Sequence, residues 1–401
     1  MNAERPFLLR TIAALVEGDG DDVLPLSPER WQALESLAHA GGMAPLLYRA
    51  VQRRGLSSRL PPETLQKLRA IYYHTAAVNA LLGRELGRIV RAVERLPNPP
   101  SLVVLKGAAL IPLLYEDMAL RPLQDIDLLV APQNVERVTA VLTDLGYEEM
   151  PLWDQVLGNV VEHHRVFHLS ENAAVPLTVE LHWHLLSGSH PARDAFRDWF
   201  WAHVETPPPA GDSGEAGFFH LSPSVWVPSP TAHLLHLIVH LGVQHDLPSA
   251  RLVWFYDAHR LVQRFGARVA WPELIRQVKR HGWEEPFATV VTITRALFDT
   301  PWPAETSRIK GIGTSSAEKL LAQVGAVPTR LKGVRREWRQ LPWRLRARYL
   351  VRKLVPSGEY MRWRYRPHPE PLWPLWYLYR WSLAAREAAR LAWNYVWRWR
   401  S

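Results

Sequence analysis

Apolar side chains recur at steps of three and four residues over the first hundred positions and again beyond residue 230. This spacing predicts amphipathic helices. The predicted helices are 8–18, 29–55, 61–96, 231–245, 250–266 and 272–282. Between these two regions short apolar runs alternate with helical stretches, which predicts strands at 101–107, 121–130 and 175–185 and helices at 108–120 and 131–146. The order strand–helix–strand–helix predicts a core in which helices pack on a sheet.

Changes in composition divide the chain into four predicted regions. A proline-rich segment ends the first of these, a helical region over 1–98. A sheet-containing core follows over 99–190, and then a helical region over 191–300, whose Pro/Gly-rich loop at 205–230 is predicted to hold a short hairpin. Residues 301–401 form a basic, Trp/Arg-rich tail that we also expect to be helical.

Positive charge is concentrated in the tail. The whole chain carries a net charge of +9, whereas residues 330–401 alone hold 18 Lys and Arg against 4 Asp and Glu, together with 9 of the 19 tryptophans. Mixtures of basic and aromatic side chains suit contact with nucleic acid or an anionic membrane surface. The alternative is a helical cap, with its aromatic rings on the core and its arginines in solvent.

The chain has no cysteine, which excludes disulfides, thiol catalysis and thiolate zinc sites and fits a reducing compartment. Charged residues interrupt the apolar run at the N-terminus, which is unlike a signal peptide. No run of about 18 uncharged apolar residues predicts a transmembrane helix. We therefore expect a cytoplasmic protein.

Two like charges stand in the run RPLQDIDLLV, residues 121–130. Asp125 and Asp127 are two positions apart, so on a strand their carboxylates point the same way, about 6–7 Å from each other. A divalent cation such as Mg²⁺ would remove the repulsion, and Glu180 on the alternating strand VELHW could complete the site. Without metal, loss of the Asp127 charge would then stabilise the fold. The alternative is a turn at Asp125 and a solvated, edge-strand Asp127.

The combination of LKG, thirteen further residues, RPLQDIDLLV and a later VELHW resembles the nucleotidyltransferase superfamily that includes DNA polymerase β. It is most similar to a branch described as uncharacterised nucleotidyltransferases, over about residues 98–290. The resemblance implies an α+β fold, with a polymerase β-like core of mixed sheet and helices at 99–190 and flanking N-terminal and C-terminal helical regions. Here Lys106 and Gly107 replace the Gly-Ser turn that is usual in the superfamily.

The resemblance also implies the reaction: Mg²⁺- or Mn²⁺-dependent transfer of a nucleoside monophosphate from an NTP, with ATP the expected donor, to a peptide, protein, sugar or small molecule. Pyrophosphate is released. Its metal ligands would be Asp125, Asp127 and Glu180. The alternative is a non-catalytic protein that senses nucleotide or binds a partner.

The phosphates would be positioned by Lys106, Gly107 and Arg121. Gly107 permits close backbone approach at a helix start. Lys106 is alternatively a solvated lysine at a strand end, and Arg121 alternatively neutralises the two aspartates.

Several histidines and one further carboxylate are secondary candidates. His182 and His184 share a face with Glu180 and could form a zinc site with it, but we expect His182 instead to line the substrate pocket or support the metal ligands. The helical spacing of His233, His236 and His240 places them on one face, directed at a cleft or satisfied in the core. Asp257, in the apolar run LVWFYDAHRL, has either a structural hydrogen-bonding role or an acceptor-binding role.

Overall fold

The computed structural model describes residues 4–18, 26–169, 177–207, 224–309, 316–326, 334, 338–339, 341–366 and 372–398. Within these residues, no helix is both long and apolar enough to cross a membrane.

Helices make up most of the described chain. The α-helices, numbered in chain order, are α1 Arg5–Glu17, α2 Pro28–Ala40, α3 Ala44–Arg53, α4 Pro62–Glu94, α5 Lys106–Leu114, α6 Val135–Asp144, α7 Gln155–Val161, α8 Arg193–Trp201, α9 Pro230–Val239, α10 Leu252–Phe265, α11 Trp271–His281, α12 Glu284–Phe298, α13 Ala317–Leu321, α14 Trp343–Leu354, α15 Gly358–Arg364 and α16 Leu375–Arg398. A single π-helical turn, His240–Gln244, continues α9.

A five-stranded mixed sheet forms the centre of the fold. The strands are β1 Val103–Val104, β2 Ile126–Leu129, β3 Glu148–Glu149, β4 His164–Leu169 and β5 Leu177–His182. Their order is β1-β2-β5-β4-β3, and only β2 and β5 run parallel. A mixed sheet with helices packed on it confirms the predicted α+β class with flanking helical regions.

Two large hydrophobic cores and a small third one are present in the described part of the chain. In the first, α1–α3 pack together with α9, α10 and α12, so the predicted regions 1–98 and 191–300 share one core. In the second, the C-terminal half of α4 packs against the sheet through Leu86 and Ile89, which join the strand residues Ile126 and Leu128. The division of the chain into four domains stays a prediction.

Several predicted elements are shorter than expected. The predicted helix 29–55 is two helices that are separated at Gly42. The φ of Gly42 is +74°, a backbone conformation that glycine adopts easily because it has no Cβ atom. The predicted strand 121–130 is a strand over Ile126–Leu129, with one further backbone bond from the Val130 N–H to the His182 carbonyl. Ahead of it, the buried Asn79 side chain bonds the backbone of Arg121 and Leu123, so no neighbouring strand is needed there.

A two-stranded antiparallel ladder closes the predicted loop at 205–230. Its strands are β6 Val204–Glu205 and β7 Val227–Pro228. The paired strands therefore lie at the two ends of the predicted loop and not within it. The apolar run at 218–221 lies outside the described residues.

Within the basic tail, α14 packs beside α7. Asp154, which caps α7 by accepting from the Leu157 N–H at 2.9 Å, also binds Arg348 at 2.8 Å and Arg352 at 3.0 Å. Tyr349 is fully buried against Leu157. This part of the tail therefore packs on the fold, but Trp343 is 74% exposed and the arginines are paired, unlike the predicted cap. The choice between a cap and a partner-binding surface stays a prediction. The side chains beyond 390 lie outside the described residues.

Candidate active site

A cleft of about 660 Å³ opens between the sheet and the helices that follow it. Of the nine principal site residues predicted from the sequence, eight line this cleft: Lys106, Gly107, Arg121, Asp125, Asp127, Glu180, His182 and His240. The ninth, Asp257, does not. The structure thus brings the predicted phosphate and metal residues to one surface.

Strand register sets the centre of the cleft. β2 runs parallel to β5, with Asp127 directly beside Glu180. Side chains paired in this way point to the same face of a sheet. β2 lies between β1 and β5, and Asp127 is only 2% exposed, so the alternative of a solvated edge residue is wrong. Asp125 precedes the strand and completes the group of three carboxylates.

Lys106 places its ammonium group among these carboxylates. Its Nζ lies 2.7 Å from Asp127 Oδ1 and 3.7 Å from Glu180 Oε2. Its backbone is left-handed, with φ +47°, at the point where the chain leaves β1 and enters α5. This conformation strains the backbone of a non-glycine residue, and such strained residues cluster at functional sites. Lys106 is therefore a counter-ion of the carboxylates, and the alternative of a solvated lysine is wrong.

The three acids differ in their electrostatics. Burial would raise the pKa of Asp127, but the charges and hydrogen bonds of Lys106 and His182 hold that pKa well below its ordinary value. Burial, followed by the charges of Asp127 and Glu180, raises the pKa of Asp125 to about 7. The predicted repulsion is therefore felt at Asp125, and Asp127 is a stabilised anion.

Arg121 has a different partner from those that its sequence position suggested. Its Nη2 donates to Asp257 Oδ2 at 2.9 Å, and Asp257 also accepts from the Tyr115 hydroxyl at 2.6 Å. Arg121 is 6% exposed and Asp257 fully buried. The ion pair is thus with Asp257 rather than with the two aspartates of the cleft. For Asp257, the contacts support the structural role and not the acceptor-binding role.

Gly107 is needed for packing. A Cβ at this position would lie 2.2 Å from Arg121 Nη1 and 2.4 Å from Leu123 Cδ2. No side chain larger than hydrogen fits without moving the guanidinium group. The close approach that glycine permits here is that of Arg121, the second residue predicted to position phosphate.

The predicted histidines separate into two groups. His182 Nε2 lies 2.9 Å from Asp127 Oδ1 and 3.3 Å from Glu180 Oε2, in contact with the carboxylates as expected. β5 ends at His182, so His184 turns away and lies 3.7 Å from Asp194. His236 and His240 line the cleft, and His233 is in the core. Burial opposes the charged form of His182, but its two hydrogen bonds to carboxylates raise its pKa above the ordinary value.

Other residues of the cleft were not predicted from the sequence. They include histidines, aromatic residues and cations that lie on, or just before, β4, α7, α10 and α14: Trp153, His163, His164, Arg251, Trp254 and Lys353. The run EHH at 162–164 was the one local signal available. The others reach the cleft through tertiary packing, which no short motif encodes.

The carboxylates fit the Mg²⁺ that the resemblance implies. Ligand atoms of Asp127, Glu180 and His182 lie within 4.8 Å of one another, and Asp125 adds a further carboxylate beside them. Carboxylate oxygens are the ligands that Mg²⁺ prefers. A divalent cation would also remove the repulsion that raises the pKa of Asp125. The donor set therefore suits Mg²⁺ after Lys106 has moved from the carboxylates.

Comparison with known proteins agrees with this geometry. None of the curated proteins compared with the chain matches it. The sequence profile of one family, described as uncharacterised nucleotidyltransferase, matches residues 27–299. This range includes the whole sheet, all three carboxylates and the helices α2–α12. The match covers well over half of the chain, so the protein belongs to this family of nucleotidyltransferases.

Proposed function

We propose that the protein transfers a nucleoside monophosphate from an NTP, with ATP the expected donor, to a hydroxyl-bearing or amine-bearing acceptor and releases pyrophosphate. One observation carries the proposal: the parallel register of β2 and β5, which sets Asp127 beside Glu180 on the wall of an open cleft. Residues 99–190 would supply the catalytic core, and the helices of 191–300 the acceptor side. The acceptor is proposed to be a peptide, a protein, a sugar or a small molecule.

The carboxylates have separate tasks in this proposal. Mg²⁺ or Mn²⁺, when bound by Asp125, Asp127 and Glu180, would neutralise phosphate charge near the reacting phosphorus. The Asp127 side chain is 3% exposed and is fixed by His182, so it would hold the metal. The Glu180 side chain is 22% exposed and faces the cleft, so it can also accept the acceptor's proton. The acceptor atom attacks the α-phosphorus, and the bond to the pyrophosphate oxygen breaks.

The basic residues have tasks on the phosphate side. Lys106 would exchange its contact with Asp127 for one with the triphosphate as the metal arrives, because all of these groups compete for the same small volume. The Arg121 side chain lines the same cleft and lies against Gly107 at the start of α5. This position supports its proposed place beside the phosphates. Its pairing with Asp257 fixes its position.

A second candidate, a protein that binds nucleotide without turnover, is favoured by one contact. Lys106 Nζ already neutralises Asp127 and Glu180 and could replace a catalytic cation there. Such a protein would bind NTP without metal and release no pyrophosphate.

Pyrophosphate release from each of the four NTPs separates these two functions. It should be measured with Mg²⁺ or Mn²⁺, against pools of peptides, sugars and hydroxylated metabolites, with NTP labelled at the α-phosphate to identify the acceptor. Asp127→Asn and Glu180→Gln should each lower turnover by at least about 100-fold, the scale on which loss of one charge-stabilising group acts. Asp144→Asn, an exposed substitution at the end of α6, is the matched control. Binding of NTP without release of pyrophosphate in every pool would favour the second candidate.

A further inference from the structure

Three imidazoles meet at one end of the cleft. His163 immediately precedes β4, His164 begins it, and His182 ends β5 directly opposite His164 in the antiparallel register. One ring nitrogen of each lies within 4.8 Å of the other two. The ring centroids are 4.6 Å apart for His163 and His164 and 4.8 Å apart for His164 and His182.

The Nδ1 atoms of these three rings are buried and have no hydrogen-bond partner. Leaving one such group unsatisfied costs about 1–3 kcal/mol, so three together need an explanation. A carboxylate can only accept a hydrogen bond, so the proton that His182 shares with Asp127 is on Nε2, and in the neutral ring Nδ1 then carries a lone pair. An imidazole held by a carboxylate through its other nitrogen is the usual arrangement of a metal-binding histidine.

We propose that His163, His164 and His182 form a site for a divalent transition-metal ion of the zinc class, separate from the Mg²⁺ ligands. Imidazole nitrogen is a preferred ligand of Zn²⁺, whereas Mg²⁺ prefers oxygen. Three protein nitrogens leave one position of a tetrahedral ion open. All three histidines line the cleft, so a water or an anionic group in the cleft would fill this position. The site rests on these three rings and not on the proposed transfer reaction.

Co²⁺ is a suitable probe because its visible absorption reports four-coordinate geometry. The full chain, stripped with chelator, is titrated at about pH 8 in excess Mg²⁺ and without nucleotide, so that Mg²⁺ occupies the carboxylates. We expect an intense band that saturates at one Co²⁺ per chain and is displaced by Zn²⁺. His163→Gln and His164→Gln should each weaken binding by at least about 100-fold, the upper end for loss of even an indirect metal partner.

His168→Gln is the matched control, because His168 lies on the same strand but its Nδ1 already bonds the Thr178 hydroxyl. It should bind Co²⁺ like the wild type. The proposal is overturned if either His163→Gln or His164→Gln keeps wild-type affinity, or if Glu180→Gln loses the band. Should a variant fail to fold, the wild-type titration alone decides, since absence of the one-equivalent band also overturns the site. Failure here leaves pyrophosphate release untouched, so the two proposals fail separately.

Discussion

Asp125 and Asp127 should respond in opposite directions to the same substitution. Asp125→Asn removes a carboxyl whose pKa burial and two neighbouring carboxylates raise from 3.8 to about 7. At about 1.36 kcal/mol per pKa unit, a shift of roughly three units corresponds to a charging cost of about 4 kcal/mol. The neutral amide avoids this cost. Asp125→Asn should therefore stabilise the metal-free protein by up to about 4 kcal/mol above neutral pH.

The pH dependence follows from the sign of that shift. A raised folded-state pKa favours the protonated acid. The contribution of Asp125 to the free energy of unfolding is therefore fully present below about pH 4 and is lost as the pH rises through about 7. The advantage of Asp125→Asn should be absent at low pH and complete near pH 8. Unfolding entropy is about 2 cal/mol/K per residue, so 4 kcal/mol corresponds to a rise in Tm of about 5 °C for 401 residues that melt together.

Asp127→Asn is the companion variant. Its carboxylate has a lowered pKa because Lys106 and His182 stabilise the anion, so its contribution to stability is present above about pH 4 and lost as the pH falls further. Breaking this buried pair should destabilise the protein by roughly 3 kcal/mol at pH 8. The sequence alone predicted the reverse sign for this residue. Thermal melts in chelator near pH 4 and pH 8 measure both variants. An Asp125→Asn protein no more stable than wild type at pH 8, or equally stabilised at both pH values, would refute the reasoning.

Three further outcomes are expected. Asp257→Asn should destabilise the protein by about 3–5 kcal/mol, because Arg121 is left as a buried and poorly paired cation; urea unfolding measures this, and a loss below 1 kcal/mol would contradict the buried pair. Gly107→Ala should displace Arg121 and weaken NTP binding measured by calorimetry, with Gly266→Ala, where a Cβ meets only Val262 Cγ1 at 3.8 Å and φ is −55°, as the control; equal affinities would contradict the packing. Deletion of 386–401 should weaken salt-sensitive binding to anionic vesicles or nucleic acid and leave NTP binding intact; a full-length chain without such binding at low salt would leave the tail a cap only.

The sequence was sufficient for the parts of the site that depend on strand periodicity. Alternation placed Asp127 and Glu180 on cleft-facing positions, and the order of elements predicted a sheet that would bring them together. Partners across the fold could not be read in this way. Arg121 and Asp257 are 136 positions apart, and the intervening chain includes most of the sheet. Periodicity describes which face a side chain occupies and not which distant residue it will meet.

The elements that were missed have a related cause. β4, with the sequence HRVFHL, carries histidine and arginine where an exposed strand usually has smaller polar residues, so its alternation was weak as a signal. His163 and His164 became candidate metal ligands only once the antiparallel register showed His164 opposite His182. The sign of the electrostatic effect at Asp127 likewise depended on a lysine 21 positions away.

The docking of α14 has a consequence for how such a cleft can diversify. Lys353 lines the cleft, and its Nζ lies 4.9 Å from the centre of the Trp153 ring, yet α14 lies outside the range 27–299 that the family shares. The buried carboxylate of Asp154 holds this helix through Arg348 and Arg352. Substitutions in α14 would therefore alter this wall of the cleft without changing the strands that hold the carboxylates.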